Sequence, residues 1–446
     1  MSEEATVPAD PAVYPPGVPS HWRIVELGRI GSIFKGSGGT KDDEVEDGLP
    51  CIRYGDIYTQ YQYFARETRS CLAEDRQAKY TAIRHGDILF AASGETLDEI
   101  GKSVANLMRG AACCGGDIIV LRPSCETDPR FMGYAAGSSL AQAQKSRMGR
   151  GMTVMHIYGS DLKRLRVALP PLDEQTLMAD FLDRETEKID ALIAKKRRLI
   201  ELLDERRLSM IGHAVTRGLD PDAPMKDSGV EWLGKVPDHW TTAPLKHLVD
   251  PFRPVMYGIV LPGPDFDGGV PIVKGGDVAE ERLVWAMLKR TDPEIERRHV
   301  RSRLKGDDIV YAIRGSIGAT AMIPAALEGA NLTQDVARVA PGAGTDPQWL
   351  KYALQSAPVF AQLEAGAVGA TIRGINIFSL KRAVLPVPPA NEQIAIREFL
   401  NRENERLDRL LRNVRCAVER LDEYRSALIT AAVTGQLDVR DKELVS

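Results

Sequence analysis

The chain has 446 residues, 43% hydrophobic and 27% charged, with 58 Lys+Arg against 62 Asp+Glu and a formal net charge of −4. At about 100–200 residues per domain this suggests two to four domains, with core enough to need no disulfide or metal staple. The charge excludes a wholly basic nucleic-acid coat but leaves room for a basic patch. No run approaches the roughly 18 apolar residues that span a bilayer, and six irregularly spaced cysteines without C-x-x-C read as reduced thiols of a cytoplasmic protein.

In chain order, residues 1–17 form an acidic, Pro-rich tail unlike a signal peptide. In residues 18–168, short apolar runs (Ile52, Ile88-Leu89-Phe90, Ile118 to Leu121) lie between Gly/Asp turns and predict strands; short helices fit Asp128 to Ser146. A long helix follows within 169–219, after the Pro170-Pro171 stop, with Asp173 as N-cap and Gly218 as terminator. Leu182, Ile189, Lys196, Leu203 and Met210 recur every seven residues, and Leu192, Ile193, Leu199 and Ile200 widen the stripe. Residues 220–235 join the halves, and Pro221 to Pro237 reads as loop. Residues 236–386 repeat the mixed pattern, with strands at Ile272-Val273 and Ile309 to Tyr311 and short helices from Asp346 to Glu364. A second long helix lies within 387–437, N-capped by Asn391 and stopped near Gly435, before a tail at 438–446. Its seven-residue series is Leu400, Leu407, Val414, Leu421 and Leu428, flanked by Leu410, Leu411 and Val418. About 40 helical residues give a rod of about 60 Å. Two such seams most simply bury each other as a coiled coil; two independent amphipathic helices are the alternative.

The chain is written twice. Leu169-Pro170-Pro171-Leu172-Asp173-Glu174-Gln175 recurs 218 residues later as Val387-Pro388-Pro389-Ala390-Asn391-Glu392-Gln393. The same offset relates Val18-Pro19-Ser20-His21-Trp22 to Val236-Pro237-Asp238-His239-Trp240, and Ala214-Val215-Thr216 to Ala432-Val433-Thr434. Between these anchors a skeleton survives: Gly55-Asp56-Ile57 resembles Gly276-Asp277-Val278, and Gly86-Asp87-Ile88-Leu89 resembles Asp307-Asp308-Ile309-Val310. So long a period means domain duplication. The fold class is therefore α+β, two mixed globular domains with two long helices related by a pseudo-two-fold repeat. Trp22 and Trp240, at matching places, read as core anchors.

Charge is partitioned. Residues 20–168 carry a net +2 and residues 238–386 a net +1, so the rest carries −7. The variable segments are the basic parts of an acidic chain, which suits phosphate contact. Lys145, Arg147 and Arg150 form one local cluster, and Arg297, Arg298, Arg301, Arg303 and Lys305 another; solvated faces paired with acids such as Glu294 and Glu296 are the plainer reading.

Catalytic motifs are missing. Gly101-Lys102-Ser103 lacks the upstream glycine that a phosphate loop requires, because Thr96 stands in its place. There is no H-E-x-x-H, no strand followed by G-x-G-x-x-G, and no N-P-P-aromatic motif. Cys113-Cys114 read as packing residues, and Gly36-Ser37-Gly38-Gly39-Thr40 as a turn that could meet a phosphate or simply connect strands. Two similar heads on two rods, without a catalytic constellation, suit the reading of two targets at a fixed separation; on DNA these are two half-sites.

Over essentially its whole length the chain resembles the specificity subunit of type I restriction–modification systems. The resemblance rests on the two Pro-Pro-x-x-Glu-Gln segments, on Met225 to Gly234 with Val236 to Trp240, on the Gly-Asp-Ile-Leu type segments, and on Ala431-Ala432-Val433-Thr434-Gly435. It implies target-recognition domains at 18–168 and 236–386, and helical regions at 169–219 and 387–437 packed antiparallel as a coiled-coil spacer. It implies that each recognition domain binds one half of a bipartite, asymmetric double-stranded DNA site. The helices would dock two methyltransferase subunits that use S-adenosylmethionine on adenine, and motor-nuclease subunits using ATP and Mg would join for restriction. The chain itself would carry no catalytic residue, metal or cofactor, would not contact a membrane, and would work in the cytoplasm of a bacterium or archaeon.

Direct readout needs polar side chains facing the major groove. The candidates beside the matched turns are Arg53, Tyr54, Ser93, Arg150 and Thr153 in the first domain, and Lys274, Arg314, Ser316, Thr371 and Arg373 in the second. Surface or phosphate-contacting roles compete with base reading at each. The expected helix–helix packing residues are Leu182, Ile189, Leu203, Met210, Leu400, Leu407, Val414, Leu421 and Leu428. A two-headed adaptor that binds only proteins is the alternative function; a fused methyltransferase would need a cofactor motif.

Overall fold

The computed structural model describes residues 17–39, 43–365 and 374–440. It divides into two units, Met1–Arg197 with Cys416–Ser446, and Arg198–Arg415. Both long helices form: Leu172–Arg217, 46 residues, and Ala390–Val433, 44 residues. At 1.5 Å per residue each is about 65–70 Å long. The division falls inside both helices, so each unit takes one end of each, whereas the sequence reading gives each half one whole helix.

In the first unit a five-stranded sheet has the order Gly31–Lys35, Ile118–Pro123, Ile88–Ala91, Ser103–Asn106, Phe64–Ala65. It is antiparallel except for its last pair. A second five-stranded sheet runs Glu44–Val45, Cys71–Leu72, Leu49–Ile52, Ala112–Cys114, Thr81–Ile83. The central strand Ile88–Ala91 is buried at every position, as its unbroken apolar run requires. Its side chains alternate between two cores. Ile88 and Phe90, with Ile119 and Leu121, face the helices; Leu89 and Ala91, with Ile118 and Val120, face the second sheet. Cys114 packs there and Cys113 packs separately against Cys51, Leu72 and Tyr80, both as buried thiols.

The second unit repeats the plan with a four-stranded sheet, Met256–Tyr257, Val336–Val339, Ile309–Ala312, Thr320–Met322, and a three-stranded one, Arg290–Thr291, Val270–Val273, Asn331–Leu332. Ile309 and Tyr311 join the helix-side core, and Val310 and Ala312 the opposite one. The aspartate before each central strand is buried and takes a bidentate arginine: Arg122 on Asp87 at 2.9 and 2.7 Å, Arg253 on Asp308 at 2.7 and 2.6 Å. The residue before each aspartate is left-handed, Gly86 at φ 88° and Asp307 at φ 65°. A Gly/Asp pair therefore survives at this turn.

The Pro-Pro-x-x-Glu-Gln motif is a clasp. Glu174 accepts from Trp22 Nε1 (2.9 Å) and pairs with His21; Glu392 does the same with Trp240 (2.9 Å) and His239. Gln175 accepts the Asp128 N–H (3.0 Å) and donates to Pro170 O (2.9 Å), and Gln393 repeats this with Asp346 (2.9 Å) and Pro388 (3.0 Å). Asp128 and Asp346 in turn cap short helices. Trp22 and Trp240 are buried, as core anchors should be. Gly218, at φ 77°, lies against Trp240, and Gly435, at φ 74°, against Trp22 and Pro19.

Several expectations are corrected. Each long helix begins one residue before its expected cap, at Leu172 and Ala390, so Asp173 and Asn391 lie in the first turn. The short helices form in both stretches as pairs, Pro129–Gly137 with Ser139–Met148 and Pro347–Gln355 with Ala357–Ala365, separated at Ser138 and Ser356. The stretch read as loop holds a hairpin, Met225–Asp227 against Lys235–Pro237. Among the packing residues Leu182, Ile189, Leu400, Leu407 and Leu428 are buried, and Leu203, Met210, Val414 and Leu421 are half-buried. Ile193 and Leu411 join them, but Leu192, Leu199 and Leu410 are 42–47% exposed. Neighbouring residues on a helix point about 100° apart, so only one of each leucine–isoleucine or leucine–leucine pair can face the seam.

Candidate nucleic-acid interface

The first unit carries a cleft of about 1050 Å³ beside the Gly36–Gly39 turn, with Lys35, Arg53, Tyr54 and Arg69 on its wall. A smaller cleft of about 430 Å³ holds Ser93, His156 and Lys163. Lys35 and Asp117 line both, so they form one continuous face. Four of the five expected residues of this domain lie on it or at its edge. Asp56 accepts the Arg53 N–H at 2.9 Å, which fixes the backbone from which the Arg53 side chain leaves. Arg53 Nη1 lies 3.5 Å from Glu44, and its buried Nη2 has no partner among the described residues. Tyr54 is exposed.

Ser93 Oγ lies 3.0 Å from His156 Nδ1. The Ser93 turn is tied down by Tyr58, whose hydroxyl donates to Ser93 O at 3.0 Å; burial pushes this phenol up to about 12, so it stays a donor. Lys102 donates to Tyr58 O at 3.0 Å, and burial lowers its affinity for a proton. It therefore helps to tie down this turn. Arg150 is joined to His156 by two backbone hydrogen bonds, and its exposed side chain reaches to within 3.5 Å of Asp161. Thr153 stands beyond it in the exposed loop that also carries Met152.

The second unit repeats this placement with different side chains. Lys274 occupies the place of Arg53, its N–H held by Asp277 at 3.0 Å. Arg314 pairs with Gly374 as Ser93 pairs with His156. Asp335 O accepts the Ile313 N–H at 2.9 Å, as Asp117 O accepts that of Ala92 at 2.9 Å. Ser316 sits in the exposed turn after Arg314. Thr371 and Arg373 lie outside the described residues.

A further cleft in this unit, about 660 Å³, is lined by Tyr257, Arg298, Arg301 and Lys381. The sequence reading did not select these four as site residues. Lys163 and Lys381 stand at the common offset of 218, a signal that could have found them. The basic cluster from Arg297 to Lys305 was visible, but not which of its arginines are engaged. Arg303 is, held by buried Glu296 at 2.7 and 2.5 Å, which keeps that carboxyl below the usual carboxylate range. Among the described residues no group of His, Cys, Asp and Glu could hold a metal ion, and no helix is long and apolar enough to cross a membrane.

Residues 19–202 match the family model of the type I restriction modification DNA specificity domain. The type I restriction enzyme EcoBI specificity subunit of Escherichia coli is 25% identical over 291 residues, covering 64% of this chain and 61% of that relative. The MjaVIII specificity subunit of Methanocaldococcus jannaschii is 23% identical over 432 residues, 95% of each chain. Among solved structures, a chain from a study of complex assembly and conformational transition in the type I R-M system superposes with a TM-score of 0.69 at 18% identity, covering 95% of this chain and 100% of that one. The HsdS subunit from Thermoanaerobacter tengcongensis gives 0.51 at 17% identity, covering 95% and 99%. These superpositions establish the fold, and the sequence matches are to specificity subunits of type I restriction enzymes.

Proposed function

We propose that this chain is the DNA sequence-specificity subunit of a type I restriction–modification complex, each recognition domain binding one half of a bipartite, asymmetric site. One observation carries the reading. The two units keep the same clasp and the same face, yet differ at equivalent reading positions: Arg53 against Lys274, Ser93 against Arg314, His156 against Gly374, Lys35 against Tyr257. A scaffold held constant beneath unlike polar side chains suits two unlike base sequences.

The two long helices act as an antiparallel coiled-coil spacer. Arg425 pairs with Asp190 in the first unit and Arg207 with Asp408 in the second; these are the same two positions of the repeat with their roles exchanged, which supports an antiparallel register. Leu192 and Leu410, equivalent and 47% and 43% exposed, suit two equivalent docking sites for methyltransferase subunits. Those subunits supply S-adenosylmethionine chemistry on adenine; motor-nuclease subunits with ATP and Mg join for restriction; this chain supplies only the address.

Adenine methylation mapped genome-wide in cells expressing the chain with its methyltransferase tests the reading. A split motif with two unlike halves is expected, and binding should weaken steeply with salt. A palindromic motif would sink the asymmetric reading. Salt-independent association with proteins alone would favour the adaptor.

A further inference from the structure

The cleft of the second unit differs in kind from that of the first. Its lining carries Arg297, Arg298, Arg301 and Lys381 and no carboxylate, whereas Glu44, Asp56 and Asp117 are interleaved with the cations of the first. Arg297 is taken by Glu294 at 2.8 Å on the surface. Arg298 and Arg301 are exposed and have no ion-pair partner among the described residues.

The segment that presents them is held rigidly from beneath. Arg297–Ser302 is a short helix kinked at His299 (φ −122°, ψ 26°). Buried Asn331 donates to His299 O at 3.0 Å and to Glu296 at 3.0 Å, and accepts from Ser302 Oγ at 2.7 Å. Arg338, 2% exposed, donates to Arg301 O at 2.6 Å and Arg303 O at 3.0 Å, and its other amino group reaches Pro254 O at 3.2 Å. Pro254 leads into the opposite wall, which Val255 and Tyr257 line, so one buried guanidinium ties both walls together. Burying a guanidinium against carbonyl oxygens alone is costly. Such a mount suits a contact that demands fixed geometry. A phosphate accepts a cation from many directions, but guanine presents O6 and N7 in one plane, matched by the arginine fork.

We propose that Arg298 and Arg301 read guanine from the major groove in the half-site of the second recognition domain, with Arg338 as the positioning residue that holds their segment. This rests on the DNA-specificity reading above.

The test uses the full chain assembled with its methyltransferase partner and a random-sequence duplex library, with sequencing of the bound or methylated fraction. The wild type should specify at least one G·C pair in the second half-site. Arg298→Ala or Arg301→Ala should relax a single G·C position about ten- to hundred-fold and leave the first half-site unchanged. Arg301→Gln loses the same charge but should move that position toward adenine, which a side-chain amide pairs with. Arg338→Met should relax the positions read by Arg298 and Arg301, a confinement that a general loss of folding would not produce. Uniform weakening on every sequence with the motif intact would assign the arginines to phosphates and overturn the proposal. So would a second half-site without a specified G·C pair, or variants without effect. No split motif from the wild type would instead refute the specificity reading, and this inference with it.

Discussion

Gln175→Met probes the clasp that joins a recognition domain to its helix. Gln175 is 2% exposed, and both halves of its amide are used: the carbonyl accepts the Asp128 N–H at 3.0 Å and the amino group donates to Pro170 O at 2.9 Å. Methionine keeps the length and nearly the volume, so little cavity forms. Two buried backbone groups are left without partners, at about 1–3 kcal/mol each, giving about 2–6 kcal/mol. Against a typical stability of about 5–15 kcal/mol this is a large fraction. For a unit of this size 1 kcal/mol moves the midpoint by about 2–4 °C, so a fall of at least about 4 °C is expected by scanning calorimetry. Gln393→Met should lose a comparable amount, because Asp346 and Pro388 stand in the same relation to it at 2.9 and 3.0 Å. A Gln175→Met shift below about 1 °C would show that the amide is not what holds the domain.

Lys145 is fully buried, donates to Gly101 O at 2.9 Å and Ala136 O at 3.0 Å, and is pushed by burial down to about 7. Its pKa is lower folded than unfolded, so between about pH 7 and 10.5 the unfolded chain binds the extra proton; stability should rise with pH across that window relative to Lys145→Met, and parallel denaturation curves for the two proteins at pH 7 and 9 would contradict this. Exchanging the charges of one helix pair, Asp408→Arg with Arg207→Asp, should restore most of the stability lost in either single variant, the coupling being at most about 1 kcal/mol because the pair is partly exposed; additive losses in urea titrations would show the two do not interact. Inserting four residues between Leu192 and Lys196 and again between Leu410 and Val414 adds about 6 Å to each rod and should lengthen the spacer between half-sites by one or two base pairs at about 3.4 Å each; an unchanged spacer on methylation mapping would end the ruler idea.

What was legible in the sequence was whatever a specific contact demands twice. Glu174, Gln175, Trp22 and their equivalents stand out because each amide or carboxylate holds the same pair of partners in both repeats. The candidate face was legible as a place, because Asp56 and Asp277 hold the backbone of Arg53 and Lys274. It was not legible as a set of side chains, since nothing in the packing dictates those exposed tips. The break between the first pair of short helices is made by Ser138, which accepts from the Ala141 N–H at 3.2 Å. Arg338 was hidden because an arginine in a strand reads as surface, and only the fold shows its guanidinium enclosed by carbonyls.

The exchange of partners between the two repeats explains why the helices stayed alike while the heads diverged. Asp190 meets Arg425 and Arg207 meets Asp408, so position for position the repeat contacts itself with roles reversed. In such a self-complementary pairing a change in one repeat is felt by residues of the other. Altering Asp190 leaves Arg425 with Asp422 alone, and restoring the pair across the helices needs a second change at a distant point of the chain. The matched spacing of the two helical regions is then a consequence of shared contacts. On the candidate faces the partners seen among the described residues lie within one unit: Ser93 contacts His156, and Arg314 contacts Gly374. Either face can be rewritten without disturbing the other, and that independence is what a split recognition site with unlike halves requires.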